Sequence, residues 1–129
     1  MAATKFSKPI DTEIATLNSK LTMQDVSSWF VSNDSDLDLE YAVKIGNVMY
    51  YSIRINNISV TSSGTYSKKV LKDDHLPAYG GCCGGYATDV NYPMIQGRLS
   101  TAGNIGVRHY NVALNNVDYI FSGLAIYNS

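Results

Sequence analysis

The chain has 129 residues, enough for one compact domain with its own core and too few for two. Ten basic and eleven acidic side chains nearly cancel and neither sign is concentrated, which argues against capture of nucleic acid or of an anionic membrane. Apolar runs are short, the opening MAATKFSKPIDTEIATLNSK has no secretory segment, and the only two cysteines are adjacent, so membrane insertion, export by a signal peptide and a disulfide scaffold are all excluded as expectations.

Ten tyrosines, ten glycines and abundant Ser, Thr and Asn suit strands and turns better than helices. The N-terminal segment is the exception. Ile10, Ile14, Leu17 and Leu21 are spaced four, three and four apart with polar residues between them, an a/d stripe that predicts a short amphipathic helix. Pro9 suits its first turn, and Thr22 to Ser28 breaks the stripe. Two heptads do not hold a coiled coil together unaided. The helix therefore packs on its own domain or forms the lower end of an oligomeric stalk.

From Leu37 the period becomes two. In LDLEYAVKIGNVMYYSIRI, Leu39, Tyr41, Val43 and Ile45 alternate, Gly46-Asn47 interrupts, and Met49, Tyr51, Ile53 and Ile55 alternate again, which predicts a β-hairpin. A two-residue loop pairs Ile45 with Val48 and sets the two apolar series on opposite faces. A bulged turn pairs Ile45 with Met49 and sets both on one face, and is the form expected. NNISVTSSGTYSKKVL follows as strand, Ser-Ser-Gly turn and strand; KDDHLPAYGG is a loop; YPMIQGRLSTAGNIGVRHYNV is a second hairpin; VDYIFSGLAIYNS closes the chain as a strand. Short strands with turn signals between them predict an all-β, jelly-roll-like antiparallel sandwich.

The order EYAVKIGNVMYYSIRI, LPAYG, GRLSTAGNIGVRHYNV and DYIFSGLAIYN resembles the C-terminal head of tail-fibre, baseplate or receptor-binding proteins from phages and prophages of Gram-positive bacteria. The resemblance spans about residues 10 to 129, and EIATLNSKLTMQDVS is similar to the stem-to-head junction of such proteins. It implies a stem over residues 1–28, a β-sandwich head over 29–129, a homotrimer with Ile10, Ile14, Leu17 and Leu21 on the stem axis, and a place in the virion tail beside other tail or baseplate proteins. The implied activity is non-catalytic recognition of a host cell-surface saccharide, without cofactor; the alternative is a trimerising cap with no receptor site. Cys82-Cys83 and HLPAYGG depart from the family's usual pattern. Independently, apolar residues on both strand faces, such as Val48 and Tyr50 opposite Met49 and Tyr51, exceed what one core hides and call for a subunit interface.

Several local features compete as sites. In AYGGCCGGYAT, Cα atoms of neighbouring cysteines lie about 3.8 Å apart, too close for an unstrained disulfide. His75 and His109 have no zinc-motif spacing, so the expectation is small buried thiols at a sharp glycine-flanked bend, with no metal and no cysteine nucleophile. Asp34, Asp36 and Asp38 share one face if extended, but lack the glycine and distal glutamate of a calcium loop. Asn115, Asn116 and Asp118 are expected in a turn before the last strand. Sugar recognition uses aromatic faces and planar hydrogen-bonding side chains, which nominates Tyr92, Arg98, Arg108, His109 and Tyr110 on or beside the second hairpin. Trp29, the only tryptophan, is assigned to packing under the head.

Overall fold

A computed structural model describes residues 11–18, 21–108 and 112–128. The fold is all-β with one short helix, as the strand periodicity indicates. After the helical residues 11–18 come β1 (Gln24–Asp25), a 3-10 turn at Ser27–Trp29, β2 (Leu37–Ile45), β3 (Val48–Val60), β4 (Thr65–Lys69), β5 (Gly81–Ala87), β6 (Ile95–Leu99), β7 (Asn104–Arg108) and β8 (Leu114–Ile126). All pairings are antiparallel, in one eight-stranded sheet of order β1-β2-β3-β8-β5-β6-β7-β4 that curls into a half-barrel.

The curl is fastened at one end, where the segment after β1 meets the segment after β4. Phe30 bridges Leu71, Val31 N–H donates to the Val70 carbonyl at 2.8 Å, and Lys72 N–H donates to the Trp29 carbonyl at 2.9 Å. Trp29 stacks on His75 with ring centroids 4.7 Å apart and touches Tyr127, whose hydroxyl donates to the His75 carbonyl at 2.9 Å. The tryptophan therefore packs against the core at this end of the sheet. Inside the curl lie Met49, Tyr51, Ile53 and Ile55 of β3, Tyr119 and Phe121 of β8, Leu99, Ile105 and Val107 from the second hairpin, and Phe30. Val26 is also fully buried and β1 pairs with β2, so this segment is tied to the sheet although Gln24, Asp25, Ser27 and Ser28 stay exposed.

The first hairpin corrects the expected bulged turn. Ile45 pairs with Val48 across a two-residue loop, and Gly46 supplies the positive φ, 61°, that such a tight turn needs at its first position. The bulge lies instead between Leu39 and Tyr41. It shifts the side-chain phase, so that Leu37 and Ala42 are buried while Tyr41 and Tyr50 stay exposed. Sequence alternation alone did not reveal this because both phases are apolar.

Asn115, Asn116 and Asp118 are likewise not a turn before the last strand but part of β8. Two irregularities in the β3–β8 ladder fall beside asparagines with left-handed backbone, Asn57 at φ 60° and Asn116 at φ 54°, a conformation asparagine tolerates better than most residues. Asp118 Oδ1 accepts from Asn57 N–H at 2.9 Å, and its Oδ2 accepts from Arg54 Nη2 at 2.8 Å. Asp34 and Asp36 sit in the turn before β2 rather than on a strand face, where Asp34 accepts from Asp36 N–H and pairs with Lys68 at 2.6 Å.

The glycine-cysteine stretch is no bend. It is β5, a strand in the interior of the sheet between β8 and β6. The two thiols are free and differ in exposure, Cys83 being buried and Cys82 exposed, because neighbours on a strand face opposite sides. On the inner side the small residues make room for rings. A Cβ at Gly85 would lie 2.5 Å from Phe121 Cε1, one at Gly97 would lie 2.9 Å from the same atom and from Cys83 Sγ, and one at Gly123 would lie 2.9 Å from Cys83 Cβ. Phe121 thus rests on bare backbone of β5 and β6.

The helix does not fold back on the sheet. All of residues 11–18 are exposed, and the stripe residues Ile14, Leu17 and Leu21 are 49, 56 and 67 % accessible. Ile10 and Pro9 lie outside the described residues.

Candidate functional site

The outer side of the β5-β6-β7-β4 half carries the polar functionality. Alternation turns Cys82, Gly84 and Tyr86 outward on β5, Gln96 and Arg98 on β6, Arg108 on β7 and Thr65 on β4. Register then sets them side by side: Cys82 opposite Arg98, Arg98 opposite Gly106, Gly84 opposite Gln96, and Thr65 opposite Arg108. Over them lies an open groove of about 700 Å³, lined by Cys82, Gln96, Arg98, Arg108 and Thr65, with Met94 and Val112 also on its wall. Met94 is 77 % exposed.

The groove brings together two of the residues nominated from sequence, Arg98 and Arg108. Tyr92 belongs elsewhere: it is half-buried against the core, in a turn where its N–H donates to the Asp89 carbonyl at 3.2 Å. His109 and Tyr110 lie outside the described residues. Sequence reasoning missed Cys82, Gln96 and Thr65. The signal lies in CCGGY, whose period-two pattern aligns with IQGRL only once the stretch is a strand and not the expected bend. Tyr86, an exposed aromatic two residues beyond Gly84 on the same strand face, was missed for the same reason.

The groove's lining contains two guanidinium groups and no carboxylate. The carboxylates with shifted acidity stand elsewhere and hold structure. The Ser27 hydroxyl and N–H hold Asp25 below its usual range, the Lys68 ammonium and Asp36 N–H do so for Asp34, and the Asn57 N–H and Arg54 guanidinium do so for Asp118. Among the described residues no three His, Cys, Asp or Glu side chains converge as metal ligands. Beneath the groove floor, burial pushes the Cys83 thiol up in pKa. Burial and the neighbouring thiol raise the Tyr51 phenol, whose hydroxyl has no hydrogen-bond partner among the described residues.

A second outer surface is apolar. On the β2-β3-β8 half, Tyr41, Tyr50, Leu124 and Ile126 are 40 to 48 % exposed, and register sets Tyr50 between Val43 and Leu124. Among the described residues no helix is long and apolar enough to cross a membrane. Comparison with protein-family models and with curated proteins returns no match.

Proposed function

We propose that the chain is the receptor-binding head of a phage or prophage tail, holding a host cell-surface saccharide without catalysis and acting as a homotrimer. The observation that carries the recognition is the groove on the outer sheet face, where Arg98, Arg108, Gln96 and Thr65 offer directional hydrogen bonds from a rigid strand platform. An exposed tyrosine, Tyr86, stands on the same face of β5 and supplies an aromatic surface of the kind sugars stack on.

Two features favour self-association. The helix stripe of Ile14, Leu17 and Leu21 has no partner within the chain's described residues, and the β2-β3-β8 outer face adds a contiguous apolar surface. Three weak sites on one particle then act together through effective concentration. The same apolar surfaces favour the second reading, a trimerising cap of a fibre.

The test is adhesion of the purified, fluorescently labelled protein to a panel of Gram-positive bacteria and to their wall polysaccharides. Saturable binding that soluble polysaccharide competes away supports a receptor-binding head. A trimer that binds no cell surface at micromolar concentration selects the cap.

A further inference from the structure

Resting on the saccharide-binding reading, we infer that the groove takes an acidic saccharide, one bearing a phosphate or carboxylate, and that Arg98 is its anchoring contact. Three cationic side chains elsewhere on the molecule are matched by acids, Arg54 with Asp118 at 2.8 Å, Lys68 with Asp34 at 2.6 Å and Lys69 with Asp73 at 2.5 Å, and Lys44 donates to the Gly46 carbonyl at 2.6 Å. Arg98 is not so matched, and unlike Lys72, which also lacks an acidic partner among the described residues, it stands in the groove. It is exposed, lines the groove, and has no acidic partner among the described residues.

Arg108 stands close by on the same face. Arg98 pairs with Gly106, and Arg108 lies two residues further along β7. Strand spacing of about 4.8 Å and a rise of about 3.3 Å per residue put the two Cα atoms about 8 Å apart, within reach of one oxyanion or of neighbouring groups on one polymer. Guanidinium groups match carboxylate and phosphate oxygens bidentately, and these charge-assisted hydrogen bonds are about twice as strong as neutral ones.

The floor is bare where a flat chain would lie. A Cβ at Gly106, which lines the groove, would meet only backbone oxygens at 3.7 and 4.0 Å, and one at Gly84, beside the groove and opposite the lining residue Gln96, would meet nothing within 4 Å. Neither glycine has the positive φ that Gly46 and Gly103 have. Nothing in the fold requires glycine at these two strand positions, in contrast to Gly85 and Gly97 on the inner side. A glycine that packing does not demand, in a strand interior, marks a place where something approaches the backbone closely.

The experiment uses the full chain and wall polysaccharides of the Gram-positive panel, separated by anion exchange into acidic and neutral fractions, with binding read by biolayer interferometry at low and moderate salt. Binding to the acidic fraction is expected, weakened at least fivefold between 50 and 300 mM NaCl as screening shortens. R98Q should weaken it at least tenfold without moving the urea midpoint, R98K less, and G106V should weaken it by filling the floor. K72Q, which removes the same charge outside the groove, should leave affinity unchanged. Hydrofluoric acid cleavage of phosphodiesters and carbodiimide reduction of carboxylates, applied separately to the acidic fraction, identify which anion is held. Preference for the neutral fraction, an unchanged R98Q, or tighter binding to single-stranded nucleic acid overturns this inference; the first two leave the saccharide reading standing. Binding to neither fraction overturns that reading together with the inference.

Discussion

Neighbouring glycines in β5 should respond oppositely to the same added methyl group. In Gly85→Ala the new Cβ would lie 2.5 and 2.8 Å from two ring carbons of Phe121 and 3.2 Å from Ile95 Cγ1, whereas carbon pairs pack at about 3.5–4.0 Å. The Phe121 ring must therefore move by about 1 Å, and it is fully buried with Gly97 beneath it as well. Overpacking of this kind costs about 1–3 kcal/mol. In Gly84→Ala the Cβ meets nothing within 4 Å and the backbone φ is not in the left-handed region, so the methyl acts mainly by restricting the unfolded chain and stabilises by about 0.4–1 kcal/mol. With a urea m-value of about 2 kcal/mol per molar, the midpoint should fall by about 0.5–1.5 M for Gly85→Ala and rise by about 0.2–0.5 M for Gly84→Ala. Urea unfolding followed by tyrosine and tryptophan fluorescence reads both. Equal shifts of the two variants in either direction would refute the assignment of these glycines to opposite faces.

Further outcomes follow from the same geometry. An aromatic disulfide reagent should titrate one thiol per native chain, Cys82, and reach Cys83 only on unfolding, because burial both hides the Cys83 thiol and raises its pKa; two fast thiols would contradict the burial. Burial pushes the Tyr127 phenol up to about 12, so between its unfolded value near 10 and that value the folded state keeps a proton the unfolded state has lost. Stability is then fully present below about pH 10 and falls as pH rises through this window, by about 1.4 kcal/mol per pH unit at most for this group; Y127F should flatten the decline, and a flat wild-type profile from pH 9 to 11.5 would refute it. Where the wild-type chain sediments as a trimer, Ile14→Asp with Leu17→Asp should give a monomer in sedimentation velocity that keeps a cooperative urea transition, since both side chains are exposed on the chain itself. A wild-type chain that sediments as a monomer removes the stem from the account.

Strand existence was legible because period-two alternation survives in IRI, in IQGRL and in NIGVR. The second hairpin was legible over residues 95–108, since Thr-Ala-Gly-Asn is a strong turn signal between strands whose inner residues, Leu99, Ile105 and Val107, are distinctly apolar. Face assignment in the first hairpin was not, because Tyr41, Val43, Val48 and Tyr50 make the outer face as apolar as the inner one, and a bulge leaves no mark in such a pattern. GGCCGG hid a strand for a related reason. Its glycines carry no side chain to show a period, and only the rings of Phe121 and Tyr51, distant in sequence, explain why the inner positions are small. Arg98 and Arg108 were found from residue type on a hairpin. Their groove partners Cys82 and Thr65 come from strands joined only by the register of the whole sheet.

The most direct test of the groove as a ligand site is amide chemical-shift mapping of the labelled protein during titration with the wall polysaccharide fraction that the adhesion and interferometry assays select. Perturbations should cluster at Thr65, Cys82, Gln96, Arg98 and Gly106, across four strands on one face. Shifts confined to the apolar side, at Val43, Tyr50 and Leu124, with the groove silent at saturation, would contradict the account.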